Sequence, residues 1–275
     1  MVTFPNCKIN LGLNILQKRN DGFHDLATVF YPIELKDVLE IIPARNSEQQ
    51  KSSIQFTTSG LVVDGNSTDN ICFKAYELLK ADFPTLPPIE MHLHKAIPMG
   101  AGLGGGSADG AFALKMLNAK FNLNLTVQQL IDYALQLGSD CPFFIINQPC
   151  FATSRGEKMT PIHLDLSAYT FVIVNPGIHV NTAWAFKQIT PSVPAKSIQQ
   201  IIQQPIETWK HELVNDFELP VATTYPAIQN IKQDLYAKGA VYASMSGSGS
   251  TVFGIFKKGT EKVNYTAEGY FVKEI

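Results

Sequence analysis

The sequence has few cysteines, only four in 275 residues. No two of them form a Cys-x-x-Cys pair, the spacing typical of zinc knuckles and thioredoxin-like sites. So few thiols in a chain of this length do not make a disulfide scaffold. We therefore expect four buried, reduced thiols, at Cys7, Cys72, Cys141 and Cys150.

Long apolar runs and a large excess of charge are also lacking. No run approaches the roughly 20 residues that span a bilayer, and no basic segment leads into an apolar stretch at the N-terminus, so no secretory signal is predicted. The formal net charge is −2, whereas general nucleic-acid binders are usually basic. We expect a cytoplasmic protein, monomeric or weakly dimeric, whose partner is a small molecule rather than nucleic acid or a membrane.

Apolar residues are plentiful, at 45% of the chain, which is enough for one large domain or two modest ones. Residues 8–15 alternate between apolar and polar side chains, which predicts a half-buried strand. That alternation puts Lys8 and Asn10 on one face, opposite the core. The composition changes near residues 150–157, so we place a boundary there, with domains at 1–153 and 154–275.

Other segments of the first half show equally clear patterns. Alternation predicts strands at 38–42, 54–58 and 89–93, with a polar loop at 46–53. Helical spacing after the capping residues Thr68-Asp69-Asn70 predicts a helix over 70–80. In the third strand, His92 and His94 lack a third ligand, which favours an exposed strand face over a metal site.

A short polar segment follows a well-marked helix in the middle of the chain. Thr126 and Gln129 form a capping box at the start of that helix, and Gly138 suits its end. Asp140 follows directly and precedes the apolar residues 142–146. Its carboxylate therefore has two candidate roles, as the N-cap of the next short helix or as a group that faces a ligand.

The most informative segment is glycine-rich, Pro98-Met-Gly-Ala-Gly-Leu-Gly-Gly-Gly-Ser107. It follows a predicted strand and opens an apolar helix predicted from about Ser107 to Leu117. Glycines let the backbone approach a ligand closely, and the free amides and dipole of a helix N-terminus favour an anion. Five glycines within seven residues favour a phosphate-binding loop over a plain flexible turn.

Two common nucleotide-binding motifs fit this loop poorly. Gly100-Ala-Gly102-Leu-Gly-Gly105 formally satisfies the dinucleotide pattern Gly-x-Gly-x-x-Gly, but residues 120–129 hold no acidic ribose contact. The Gly-Lys-Ser/Thr ending of a Walker A loop is missing. A dinucleotide-dependent oxidoreductase stays open as an alternative, and it predicts NAD binding without ATP binding.

Two further stretches accompany the loop, Cys7-Lys-Ile-Asn10 near the N-terminus and Met245-Ser-Gly-Ser-Gly-Ser-Thr-Val-Phe253 near the C-terminus. In this order, the three motifs resemble those of the GHMP kinases, the family of galactokinase, homoserine kinase and mevalonate kinase. The element Asp21-Gly22-Phe23-His24 resembles the members that phosphorylate the 2-hydroxyl of 4-diphosphocytidyl-2-C-methyl-D-erythritol in the non-mevalonate route to isoprenoids. Two positions depart from that pattern, since Cys7 replaces the usual Ala and Phe23 the usual Tyr.

The resemblance implies an α+β fold of two domains, an N-terminal α/β domain with the phosphate loop and a C-terminal α+β domain, with the active site in the cleft between them. It implies transfer of the γ-phosphate of ATP to a hydroxyl, with Mg²⁺ arriving together with ATP. Asp140 is then the expected general base, and Lys8 the group that orients the hydroxyl.

The resemblance also implies two sets of ligand contacts. Phe23 and Phe186 would sandwich the cytosine, His24 would bond its edge, and Asn10 and Thr182 would contact polar parts of the substrate. The expected nucleotide contacts are Asn70, Lys95, Pro98, Gly100, Gly102, Leu103, Gly104, Gly105, Gly106 and Ser107.

Two alternatives within the same fold stay open. One is another small-molecule kinase of the family, of the homoserine or mevalonate type, which would lack the Asp-Gly-aromatic-His element. The other is a non-catalytic nucleotide-binding protein, which would keep the loop but could lose Lys8 or Asp140. Both residues are present, which favours an enzyme.

Overall fold

The computed structural model describes residues 1–44, 53–259 and 269–275. The polar loop predicted at 46–53 therefore falls almost wholly outside the described residues. Two compact units make up the chain, and each is discontinuous in sequence. Unit 1 comprises Met1–Cys7, Glu34–Met99 and Gly104–Asn147, and unit 2 comprises Lys8–Ile33, Gly100–Leu103 and Gln148–Ile275. No single cut at residue 153 separates these units, and the boundary between two family domains there stays a prediction.

Unit 1 is built on a four-stranded sheet. In spatial order its strands are β1 (Val2–Thr3), β4 (Val38–Pro43), β6 (Ile89–Lys95) and β5 (Ile54–Gly60). Only β5 and β6 run parallel among the described pairs of this sheet. The three strands predicted in this region are confirmed. His92 and His94 contact the hydroxyls of Thr57 and Ser59 on the neighbouring strand.

Among its described residues, unit 1 has four α-helices beside this sheet: α1 (Ile71–Asp82), α2 (Gly105–Lys120), α3 (Val127–Leu137) and α4 (Cys141–Ile146). Asn70 caps α1, because its side chain accepts a hydrogen bond from the Cys72 amide, and the capping box at Thr126 is present at α3. Helix α2 is longer than predicted at both ends. Gly104, with a φ of +69°, is its N-cap, so Gly105 and Gly106 are helical and Ser107 is its third residue.

Unit 2 contains most of a second sheet and all of a third. The second sheet has the order β2 (Asn6–Lys18), β3 (His24–Lys36), β7 (Cys150–Ser154) and β8 (Lys158–Pro161). The third is antiparallel in the order β10 (Tyr242–Met245), β11 (Val252–Lys257), β9 (Tyr169–Asn175) and β12 (Phe271–Glu274). Together the three sheets and the helices confirm an α+β chain.

The described part of unit 2 has five α-helices: α5 (Thr182–Lys187), α6 (Ile198–Ile201), α7 (Ile206–Glu212), α8 (Glu218–Thr224) and α9 (Pro226–Ala237). A buried apolar cluster joins α9 to the third sheet, through Ile231 and Leu235 on the helix and Val172 and Val252 on the strands. No helix in the described part of the chain has both the length and the apolarity needed to cross a membrane.

The prediction of a half-buried first strand is wrong in one respect. Strand β2 forms, but every residue from Asn6 to Asn14 is buried, including Lys8 and Asn10. In unit 2 the Lys8 amide donates to the Leu103 carbonyl, and the Asn10 amide donates to the Ser246 hydroxyl. Other segments therefore cover the polar face as well as the apolar one.

Candidate active site

Two glycine motifs of unit 2 lie directly against each other. The carbonyl of Gly102 accepts hydrogen bonds from the Ser246 hydroxyl at 2.8 Å and from Lys8 Nζ at 3.3 Å. A Cβ atom added at Gly102 would lie 2.0 Å from the Ser246 carbonyl oxygen, so only glycine permits this approach. Three motifs far apart in the sequence, around residues 8, 102 and 246, thus form one local structure.

Lys8 is a buried and oriented ammonium group in this structure, not a solvated one. Only 4% of the surface of Lys8 is exposed. Nζ donates to Asn10 Oδ1 at 2.6 Å and lies 4.9 Å from the centre of the Phe30 ring. Asn10 in turn donates from Nδ2 to Thr28 Oγ1 at 3.0 Å. The Asn10 side chain therefore positions Lys8, and its predicted contact with a substrate stays a prediction.

A cavity of about 500 Å³ opens beside the first turn of α2 in unit 1. Its size is in the range of small-ligand pockets. Four of the predicted nucleotide contacts line it, namely Asn70, Lys95, Gly106 and Ser107. The first amides of a helix have no partner within the helix, and the dipole makes this end positive, so the cavity wall suits an anion. Of the remaining predicted contacts, Leu103 has a fully buried side chain, which suits packing rather than ligand contact.

Lys95 lines this cavity, but two carboxylates already bind its ammonium group. Nζ lies 2.5 Å from Asp37 Oδ2 and 2.8 Å from Asp109 Oδ2, and all three side chains are almost completely buried. Burial is the main cause that raises the pKa of Asp109 well above its usual value. The Lys95 side chain is thus part of an ion cluster inside unit 1, which the sequence did not predict.

Asp140 occupies the N-cap position of α4, yet it is not a capping residue. Its backbone is helical, with a φ of −87° and a ψ of −14°, and its side chain makes no capping hydrogen bond. The capping role considered from the sequence is therefore not seen for this half-buried residue, and its role as the general base stays a prediction. The thiol of the neighbouring Cys141 forms a hydrogen bond with the side chain of Ser107. This contact places the start of α4 beside the first turn of α2. Burial raises the pKa of the Cys141 thiol to about 12.

The predicted cytosine sandwich is not preformed between Phe23 and Phe186. The Phe23 residue is 51% exposed, and the guanidinium of Arg155 lies 4.8 Å from the centre of its ring. Phe186 stacks instead on His24, at 4.7 Å between ring centres and 15° between planes. Burial, with a smaller effect of Lys18, lowers the pKa of His24, which favours the neutral imidazole. Thr182 bonds to the hydroxyl of Ser248 at 2.9 Å.

Sequence reasoning missed several residues of this site. Asp37 follows β3 in a stretch with no recognisable motif, and Ser246 stands within a motif whose contacts the sequence does not give. Asp109 could have been suspected, because a carboxylate inside an apolar helix needs a partner when it is buried.

All four predicted thiols are buried, at Cys7, Cys72, Cys141 and Cys150.

Comparisons with known proteins agree with the sequence motifs. The model of the GHMP kinases N terminal domain matches residues 70–148, and that of the GHMP kinases C terminal matches residues 197–264. A Bacteroides fragilis protein named 4-diphosphocytidyl-2-C-methyl-D-erythritol kinase is 50% identical over the full length of both chains. A Bacteroides thetaiotaomicron protein of the same name is 51% identical, over 94% of this chain and 92% of its own.

Solved structures show the same relationship in three dimensions. A crystal structure of 4-(cytidine 5'-diphospho)-2C-methyl-D-erythritol kinase matches with a TM-score of 0.79 and 29% identity, over 93% of this chain and 90% of its own. Mevalonate kinase from Methanococcus jannaschii matches with a TM-score of 0.69 over 100% of this chain and 96% of its own, but at 14% identity it shows the fold alone. The full-length relatives, the matched family models and the shared fold together show that this chain belongs to the GHMP kinase family.

Proposed function

We propose that this kinase transfers the γ-phosphate of ATP to the 2-hydroxyl of 4-diphosphocytidyl-2-C-methyl-D-erythritol, a step in isoprenoid precursor synthesis. The observation that carries the proposal is the 50% identity, over the whole chain, to a relative named for that substrate. The element Asp21-Gly22-Phe23-His24 supports it, since this element resembles that branch of the family rather than the homoserine or mevalonate kinases.

In the proposed reaction, Asp140 is the general base. The substrate hydroxyl gives its proton to the carboxylate as the oxygen attacks the γ-phosphorus, and ADP leaves with the electrons of the broken P–O bond. The position of Asp140 supports this role, because it stands at the start of α4, next to Cys141, whose thiol forms a hydrogen bond with Ser107 beside the cavity. Lys8 orients the same hydroxyl and stabilises the negative charge that develops on the transferred group. Its support is the fixed geometry of Nζ against Asn10 and Gly102.

ATP is the phosphate donor that GHMP kinases use in general, and we assign its site to the cavity beside α2. The amides of Gly106 and Ser107 would donate hydrogen bonds to phosphate oxygens, and Asn70 would lie toward the adenine. Within the described ranges, no three His, Cys, Asp or Glu side chains come together to hold a metal ion. The chain therefore fits a Mg²⁺ ion bound mainly to phosphate oxygens and water, with the Ser107 hydroxyl as a candidate protein ligand. Bound there, Mg²⁺ would neutralise charge on the phosphates.

The cytidine part of the substrate is assigned to the aromatic residues of unit 2. Phe23 offers an exposed ring, and a neutral His24 can both donate and accept a hydrogen bond at a base edge. Since His24 now stacks on Phe186, the proposal requires that the base either replace this imidazole on the ring or stack on Phe23 alone. Thr182 would contact a polar part of the substrate, and we place the protein in the cytoplasm.

An ADP-release assay with three acceptors tests the proposal. We expect turnover with the cytidine-diphosphate-linked methylerythritol, and none with homoserine or mevalonate at the same concentration. Preference for either control acceptor would move the chain to another branch of the family. ATP binding without ADP release for any acceptor would instead favour the non-catalytic alternative. Family membership already excludes the dinucleotide-dependent oxidoreductase.

A further inference from the structure

The buried ion cluster of Asp37, Lys95 and Asp109 has no task in the reaction as described so far. Its side chains are at most 2% exposed. Replacing such a cluster by apolar residues of similar volume is often neutral or stabilising, so stability alone is a weak reason to keep one. What the cluster holds in place is therefore the better guide to its role.

The cluster fixes the chain just before the glycine loop. Asp37 Oδ1 accepts hydrogen bonds from the amides of Ala96 at 2.6 Å and Ile97 at 2.9 Å. Its other oxygen, Oδ2, binds Lys95 Nζ. Three consecutive residues that lead into Pro98 are thus tied to one buried carboxylate.

The same cluster fixes the helix that follows the loop. Lys95 Nζ binds Asp109 Oδ2, and Asp109 lies in the second turn of α2, directly after the cavity-lining residues Gly106 and Ser107. The two ends of the loop also touch, because a Cβ atom added at Gly105 would lie 2.8 Å from Ile97 Cγ2. A shift of Asp109 relative to Asp37 would therefore move the first turn of α2 relative to the strand before the loop.

One oxygen of Asp109 carries the whole connection to Lys95. Oδ2 accepts from Lys95 Nζ at 2.8 Å, whereas Oδ1 is buried and has no hydrogen-bond partner among the described residues. The ion pair with Lys95 therefore ties the second turn of α2 to the strand before the loop.

We propose that the Asp37–Lys95–Asp109 cluster is a positioning group for the triphosphate, which holds the amides of Gly106 and Ser107 in the arrangement that binds the phosphates. The proposal rests on the proposed function insofar as ATP is the ligand of the cavity. None of the three residues is a catalytic residue in this proposal, because they act through the backbone of α2. The effect of disturbing the cluster should thus depend on how many phosphates the ligand carries.

Calorimetric titration of Asp109→Asn with adenosine, ADP and ATP tests this dependence. Asparagine keeps the shape of the side chain but cannot form an ion pair with Lys95. We expect adenosine affinity within about twofold of the unaltered protein and ATP affinity weakened about tenfold or more, with ADP between them, because hydrogen bonds to charged phosphates are the strong ones. The matched control is Asp132→Asn, an equal change at an exposed aspartate of α3, which should leave all three affinities unchanged.

Asp37→Asn is the second variant. Its affinity should also fall most for ATP, less for ADP and least for adenosine. An equal loss for adenosine and ATP would overturn the proposal, since the cluster would then shape only the base pocket. Unchanged ATP affinity in a folded variant would overturn it too, as would failure of both variants to fold, which would make the cluster a folding element. If the unaltered protein binds no ATP, the proposed function fails instead, and this outcome is separate from the others.

Discussion

Units 1 and 2 each bury a lysine next to the glycine loop, but they surround it with different partners. In unit 1, the carboxylates of Asp37 and Asp109 bind the ammonium of Lys95. In unit 2, the ammonium of Lys8 donates to the amide oxygen of Asn10 and to the carbonyl of Gly102. Two carboxylates compensate the charge of Lys95 within a closed cluster, which fits a structural role for that lysine. Lys8 is instead the lysine that we propose to orient the substrate hydroxyl.

The largest expected effect tests the structural half of this comparison. Lys95→Met leaves two buried carboxyl groups without their cation, which should lower the free energy of unfolding by about 3–5 kcal/mol. Lys8→Met removes the donor that binds the oxygens of Asn10 and Gly102, and it should cost roughly 1–3 kcal/mol. Urea denaturation of both variants measures the difference. Equal losses would erase the distinction between the two lysines.

Turnover of Asp140→Asn tests the base itself. The variant should fold, because the Asp140 side chain caps no helix, and it should lose about 10²–10⁴-fold in kcat. Steady-state ADP release at saturating ATP gives the value, and an unchanged circular-dichroism spectrum is the control for folding. Near-normal turnover of the purified variant would remove Asp140 from this role.

Lys8→Ala tests the proposed role of Lys8 in the reaction. Loss of the ammonium should lower kcat by at least about 100-fold while the protein stays folded, since the group is proposed to orient the hydroxyl and stabilise charge. Lys95→Met, assayed at a temperature where it is folded, is the matched comparison and should keep more activity at saturating ATP. If the two variants reverse this order, the assignment of roles is wrong.

A smaller effect is expected at the substrate side of unit 2. His24→Ala should raise KM for the cytidine substrate by about tenfold, equivalent to one hydrogen bond of roughly 1.4 kcal/mol, and leave KM for ATP unchanged. Initial rates over a matrix of both concentrations separate the two constants. A similar rise in both KM values would argue against recognition of the base by His24.

The smallest effect concerns the packing of α2 in unit 1. Helix propensity alone predicts that Gly110→Ala stabilises the helix by about 1 kcal/mol. A Cβ atom at this position would lie 2.8 Å from Ile71 Cγ1, however, and such overpacking typically costs about 1–3 kcal/mol. We therefore expect a net loss of about 1 kcal/mol in the free energy of unfolding. A gain in thermal denaturation midpoint would show that Ile71 can move aside.

Local patterns in the sequence predicted local structure well. Thr126 with Gln129 predicted the start of α3, and alternation predicted the strands of unit 1, because caps and alternating faces depend on neighbours in the chain. Lys8 was placed on an open face because nothing near it in sequence reports the cover that Gly102 and Ser246 provide. Asp37 was missed for the same reason, since the partners of its side chain stand 58 and more residues away.

Predictions about the site also depended on whether the relevant residues are close together in the sequence. The glycine loop, together with the motifs around residues 8 and 246, indicated the family, and the loop indicated a helix directly after it. That helix, α2, begins at Gly105, two residues earlier than predicted. The side-chain partners of Lys95, Phe23 and Phe186 could not be read from the sequence, since each depends on a residue from another element. Residue type gave the candidates, and only the fold gave their neighbours.

The contacts of β2 bear on how the chain is made. This strand is synthesised long before its partners, because Leu13 pairs with Asn215, and the amides of Ile15 and Asn10 donate to Asp216 and Ser246. Unit 2 thus cannot close until Ser246, 236 residues after Asn10, has been synthesised, and β2 lacks these contacts until then. A nascent chain stalled before residue 215 would be a natural client for chaperones that bind extended apolar segments.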